Sequence, residues 1–75
     1  MSLLFAEVEA PGLRPGMPVR INEVGGPPVI GVYWRSEESF LGDVRHYCEV
    51  DGVGLWYLEG LVFPASRREC LRRVK

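Results

Sequence analysis

Asp51-Gly52 lies between two runs that each alternate in character, Val44–Val50 before it and Val53–Leu58 after it. No other stretch restricts the fold as much. Val44, His46, Cys48 and Val50 interleave with Arg45, Tyr47 and Glu49, the period of a strand with two unlike faces. Asp-Gly tolerates the positive φ that a two-residue hairpin turn requires, and Gly54 leaves a four-residue loop open as well. Both loop lengths keep the same parity. Leu55 and Tyr57 therefore join His46 and Cys48 on a core-side face, while Trp56 and Leu58 join Arg45, Tyr47 and Glu49 on the other. Only an odd loop with a bulge inverts this. Tyr47, Trp56 and Leu58 make the second face too apolar for solvent alone, so it needs a cover: more chain, a partner or a ligand.

The same reasoning extends along the chain. Leu4, Ala6, Val8 and Ala10 alternate with Phe5, Glu7 and Glu9, which predicts a strand over residues 3–10 ended by Pro11-Gly12. Val19 and Ile21 against Arg20 and Asn22 predict a second strand, and Gly25-Gly26-Pro27-Pro28 a turn. Ile30, Val32 and Trp34 then read as the inward side of a third strand, which puts Tyr33 and Arg35 outside. Ser36–Asp43 reads as a connector in which Ser36 caps one helical turn and Phe40 and Leu41 fold back on the core. Leu61-Val62-Phe63 is a short apolar run ended by Pro64. Beyond it, Ser66 and Glu69 have capping-box spacing, yet Cys70, Arg72 and Val74 also suit a closing strand. A C-terminal helical turn is favoured there.

About five short strands with frequent turns, and gaps too short for crossover helices, predict one mainly all-β domain over residues 1–75. A small SH3-like or half-open antiparallel barrel fits best, followed by a twisted meander completed by a second copy. With 75 residues the chain buries only about 60 to 65% of its unfolded surface, so self-association would help it. No apolar run is long enough for a membrane-spanning helix, and residues 1–5 lack a signal-peptide pattern, so a cytoplasmic protein with no membrane partner is expected.

Charge is unevenly placed. Residues 1–63 hold four arginines against nine acids, a net of −5, whereas residues 64–75 hold Arg67, Arg68, Arg72, Arg73 and Lys75 against Glu69, a net of +4. Such a basic tail suits nucleic acid, an acidic protein surface, or plain solvation.

The chemistry-bearing residues point away from catalysis. One histidine and two cysteines fall short of the four ligands of a structural zinc site, so no metal and no cofactor is expected. His46 and Cys48 share a face but stand roughly 6 to 7 Å apart along a strand, with no third group to orient them. Cys48 and Cys70, 22 positions apart, read as reduced buried thiols, although the spacing leaves a bridge open. Glu37, Glu38 and Asp43 lie in a loop context that supplies no desolvation for acid–base work. The glycines match no phosphate-cradling pattern. An enzyme is not expected.

Taken together, Pro18-Val19-Arg20, Gly26-Pro27-Pro28-Val29 leading to Trp34, Arg45-His46-Tyr47-Cys48-Glu49-Val50, Leu55-Trp56-Tyr57-Leu58 and Leu71-Arg72-Arg73-Val74 carry a resemblance. Over residues 17–75 the chain resembles small β-domains of unknown function from high-GC bacteria, found alone or at the C-terminus of Y-family DNA-polymerase-like repair proteins. It departs from their pattern where Ser39-Phe40-Leu41-Gly42 replaces a Trp-rich segment, and where Leu58-Glu59-Gly60-Leu61 replaces a Leu-Tyr-Arg-Asp step. The resemblance implies a DNA-repair setting and supplies no catalytic residues.

The expected binding residues are Tyr33, Arg35, Arg45, Tyr47, Trp56 and Leu58, with Arg67, Arg68, Arg72 and Arg73 as a basic tail. Two functions fit them. The first is a non-enzymatic interaction module that self-associates, or binds another protein, through the aromatic face of the hairpin. The alternative is weak single-stranded nucleic-acid binding, with bases stacked on the aromatics.

Overall fold

The computed structural model describes residues 5–66 and Arg68. Six strands follow one another: β1 (Phe5–Val8), β2 (Pro18–Ile21), β3 (Val29–Ser39), β4 (Val44–Val50), β5 (Val53–Leu58) and β6 (Val62–Pro64), with one 3₁₀ turn at Glu59–Leu61. All pairings are antiparallel, in the order β5-β4-β3-β2-β6. β3 is long enough to serve two neighbours on one edge, β2 along Val29–Val32 and β1 along Ser36–Ser39. This is a small all-β domain built on one antiparallel sheet. The C-terminal helical turn or strand expected after residue 65 falls almost wholly outside the described residues, as do Cys70 and any bridge to it.

The hairpin forms as its turn chemistry dictates. Asp51 has φ 53° and Gly52 φ 82°, the two positive angles of a primed turn, so the loop has two residues and Val50 faces Val53. The register continues through Cys48 opposite Leu55, Tyr47 opposite Trp56 and His46 opposite Tyr57. The four-residue loop is not used.

The core occupies one side of the sheet. Val19, Ile21, Tyr33, Cys48 and Val62 are buried, with Leu13, Met17, Val29, Val50 and Tyr57 packed around them. Leu13 and Met17 come from the loop between β1 and β2, tied to β3 by Gly16 N–H to Tyr33 O (2.7 Å) and Tyr33 N–H to Met17 O (2.9 Å). Gly31 lets strands close over this core: a Cβ there would lie 2.7 Å from the Glu49 carbonyl oxygen and 2.8 Å from Val50 Cγ2. On the core side of β5, Tyr57 packs against the core while Leu55 stays 52% exposed.

Two expectations fail in β3. The ladder with β4 shifts between Tyr33 and Arg35, pairing Tyr33 with Cys48 but Arg35 with Tyr47, so Trp34 is the extra residue of a β-bulge. The inward side is already the opposite one from Val29 on: Val29, Gly31 and Tyr33 face the core with Ile21, Val19 and Cys48 opposite them, while Ile30, Val32 and Trp34, expected inside, take the outer side. Tyr33, expected outside, is buried at 3% exposure, and Trp34 is 42% exposed. The bulge inverts parity only beyond it, setting Arg35 outside and Ser36 in the core. The second failure is the connector. Ser36–Ser39 continues β3 and Ser36 is fully buried, so it caps no helix. Ser39 instead holds the turn into β4, its Oγ accepting from Leu41 N–H and Asp43 N–H (3.2 Å each), with Gly42 at φ 92°. Phe40 and Leu41 stand 74% exposed at the tip rather than on the core.

Candidate functional site

The sheet face opposite the core gathers most of the expected binding residues. On an antiparallel ladder, directly opposed side chains project to the same side. The pairs Arg45–Leu58, Tyr47–Trp56, Arg35–Tyr47 and Glu37–Arg45 therefore carry one surface across β5, β4 and β3. Phe5, facing Ser39 across β1 and β3, extends it to a fourth strand. Trp34 joins it by alternation from Val32, the bulge that follows keeps Arg35 on the same side, and Trp34 Nε1 donates to Glu49 Oε1 at 3.2 Å.

Rings and guanidinium groups interleave on this face. Arg45 Cζ lies 3.7 Å from the Phe5 ring centroid and 4.0 Å from that of Trp56. Arg35 Cζ lies 5.2 Å from the Tyr47 ring and 5.4 Å from Trp56. Tyr47 and Trp56 pack at 5.1 Å with a 60° tilt. Each guanidinium sits within the roughly 6 Å at which a ring quadrupole attracts a cation. Arg45 also donates from Nη2 to Glu37 Oε1 at 2.9 Å, while its Nε is buried without a hydrogen-bond partner, held against aromatic surface. A groove of about 580 Å³ opens at this end of the face, lined by Phe5, Arg45, Trp56, Leu58 and the acidic pair Asp43 and Glu59. Leu58, 67% exposed, forms part of its wall.

Five of the six expected residues thus belong to one surface: Arg35, Arg45, Tyr47, Trp56 and Leu58. Tyr33 does not. Of the basic tail only Arg68 is described, and it is exposed; Arg67, Arg72 and Arg73 lie outside the described residues. Phe5 and Trp34 were missed by the sequence reading. Phe5 carried a usable signal, the apolar residue among glutamates on the outer side of β1, whereas Trp34 stands on this face because the alternation of Val29–Trp34 runs with the opposite side inward from the one expected.

Behind the surface runs a buried polar chain. Tyr33 Oη lies 2.5 Å from Ser36 Oγ, which lies 2.6 Å from His46 Nδ1, and the Tyr33 and His46 rings meet edge-on at 5.7 Å. Donation in either direction along the chain satisfies all three groups. Burial lowers the His46 pKa below its ordinary 6.5, with Glu59 opposing the shift, so the imidazole is held neutral. Ser36 is fully buried and His46 is 2% exposed, so this serine–histidine contact joins β3 to β4 and offers no hydroxyl to a substrate. Burial likewise pushes the Cys48 thiol up to about 11, away from thiolate chemistry. Among the described residues no three His, Cys, Asp or Glu side chains cluster so as to hold a metal ion, and no helix is long and apolar enough to cross a membrane.

The surface has the composition of a recognition patch: four aromatic rings, two arginines and an exposed leucine on a rigid sheet. Comparisons with protein-family models, with curated proteins and with solved structures found no match to this chain.

Proposed function

We propose that this domain is a non-enzymatic binding module that works by protein–protein association, in its simplest form with a second copy, through the outer face of the β4–β5 hairpin. The observation that carries this reading is the pre-packed layer of Phe5, Arg45, Trp56, Tyr47 and Arg35, with Leu58 left open at its edge. Tyr, Trp and Arg are the side chains that anchor interfaces, and here they are already ordered, so association costs little further side-chain entropy. The charge of the face supports protein over nucleic acid. Arg45 is engaged by Glu37, Glu49 holds the Trp34 indole, and Asp43 and Glu59 border the groove. A phosphate backbone would meet more carboxylates than guanidinium groups.

Size-exclusion chromatography with light scattering tests the proposal. The wild type is expected to run as a dimer or larger species that Trp56→Ala shifts toward monomer. A wild-type monomer unchanged by Trp56→Ala rejects self-association.

A second reading rests on Arg35 beside the tilted Tyr47 and Trp56 rings, an arrangement able to stack bases, together with the basic residues after Pro64. Fluorescence anisotropy with single-stranded DNA at low salt decides it. Binding that is lost on charge reversal of Arg67, Arg68, Arg72 and Arg73 supports nucleic-acid recognition; absence of binding removes it.

A further inference from the structure

The outer strands of the sheet are not alike. β6 has three residues and ends in Pro64; β1 has four and carries Glu7. Shortness, proline and charge are the devices by which proteins keep an edge from pairing. β5 has none of them. It runs six residues, Val53–Leu58, without charge, proline or bulge, and among the described residues only β4 pairs with it. Val53, Leu55 and Leu58 are 56, 52 and 67% exposed. An antiparallel ladder turns the N–H and C=O of every second residue of an edge strand outward, so among the described residues β5 presents a row of backbone groups with no strand opposite, beside apolar side chains.

We propose that β5 pairs antiparallel with β5 of a second copy, about a twofold axis normal to the sheet at Trp56, joining two six-stranded sheets into one. This rests on the self-association reading and names its geometry. A second copy suits this edge because a neutral strand opposes no like charges when paired with itself. The register follows from faces and charge. Core sides continue across the axis only when opposed residue numbers have the same parity, which leaves Leu55 and Trp56 as the central positions. An axis at Leu55 sets Asp51 opposite the second copy's Glu59, like against like. An axis at Trp56 avoids that and sets Gly54 opposite the second copy's Leu58, and Leu55 opposite its Tyr57. Gly54 has no side chain, and the Tyr47 ring lies over it. The exposed Leu58 of each copy therefore lands on the other's Tyr47 ring, and the two aromatic faces merge into one surface.

Hydrogen exchange resolved by residue, over a range of protein concentrations, tests this, together with sedimentation of Leu55→Lys. Leu55 projects to the side of the sheet away from the aromatic face, so a lysine there disrupts edge pairing without touching that face. The expected result is a dimer in which alternate β5 amides gain protection as concentration rises, and which Leu55→Lys converts to monomer. A dimer whose β5 amides exchange equally fast at all concentrations, or a Leu55→Lys variant that stays dimeric, overturns edge pairing while leaving face-to-face association standing. A monomer at every concentration overturns both. Protection that is present without dimerisation also overturns the proposal, because the chain itself then covers the edge. Should Leu55→Lys fail to fold, the wild-type exchange pattern decides alone.

Discussion

The ring of Tyr47 lies across Gly54 on the neighbouring strand, so close that a Cβ added at residue 54 would fall 2.6 Å from Tyr47 Cζ. The ring reaches this position by leaning toward the hairpin turn, past its direct partner Trp56. The contact makes Gly54 the control point of the proposed binding face. Its obstacle is the far end of a side chain rather than backbone, so Gly54→Ala is accommodated by rotating Tyr47 away. The expected outcome is a folded protein with thermal stability lowered by roughly 1 kcal/mol or less, a more exposed tyrosine, and weaker self-association. Calorimetry beside light scattering checks it. Unfolding of the variant, or unchanged association, contradicts the assigned role.

Arg45 is held by two rings and a carboxylate at once, so its removal acts through packing as well as charge. Ring contacts at partly exposed sites are worth about 0.5 to 1 kcal/mol each, and the partly exposed ion pair with Glu37 adds little. Arg45→Ala should therefore destabilise the domain by roughly 1 to 2 kcal/mol in chemical denaturation, and Glu37→Gln by less than half of that. Equal losses from the two variants would place the binding in the ion pair and refute the ring-based account.

Ser36 satisfies two buried partners, so Ser36→Ala strands the Tyr33 hydroxyl and His46 Nδ1 together. Each unpaired buried group costs about 1 to 3 kcal/mol. Tyr33→Phe removes a hydroxyl from the end of the chain and leaves the Ser36–His46 contact in place. Urea denaturation is expected to rank Ser36→Ala as the more damaging of the two; the reverse order would mean that the hydroxyl chain does not hold β3 to β4.

The faces of the hairpin were legible because the two-residue and four-residue loops that Asp51-Gly52 and Gly54 allow keep the same parity; the register was not, and it is the two-residue turn that fixes every pairing from Val50–Val53 to Arg45–Leu58. The division of Tyr47, Trp56 and Leu58 from His46 and Cys48 follows from that parity. β3 was legible only in part. Val29–Arg35 alternates cleanly, and with large apolar residues at Tyr33 and Trp34 nothing in the letters says which of the two yields to solvent. The choice is made by tertiary packing. Tyr33 alone can offer its hydroxyl to Ser36, and Trp34 finds an indole partner only on the outer side, in Glu49. Ser36-Glu37-Glu38-Ser39 misled in the same way. Locally it is a helix cap, but pairing with both β1 and β4 outweighs that propensity.

Cys48 is fully buried with its thiol pushed up to about 11, so it should be inert in the native state. In a Cys70→Ser background, labelling of Cys48 by a thiol reagent at neutral pH is expected to proceed only as fast as the protein opens, and to accelerate sharply in denaturant. Reaction as rapid as that of a free thiol peptide would reinstate a chemical role for Cys48 and count against a purely interaction-based function.

His46 links stability to pH in a direction that its burial fixes. Its folded pKa is lowered from 6.5 by desolvation, with Glu59 partly opposing. Above 6.5 the imidazole is neutral in both folded and unfolded chains and contributes no pH dependence. Below 6.5 the unfolded chain takes up a proton that the folded chain resists, so unfolding is favoured progressively until the lowered folded pKa is reached. Protonation would also force Nδ1 to donate, leaving Ser36 to give its own proton to Tyr33. Stability measured by urea denaturation should therefore fall between pH 7 and pH 5, and His46→Gln, though less stable at pH 7, should lose that part of the slope. Glu59→Gln removes the opposing charge, lowers the His46 pKa further and extends the decline toward lower pH. A wild-type profile parallel to that of His46→Gln over this window would show that the histidine is not the titrating group.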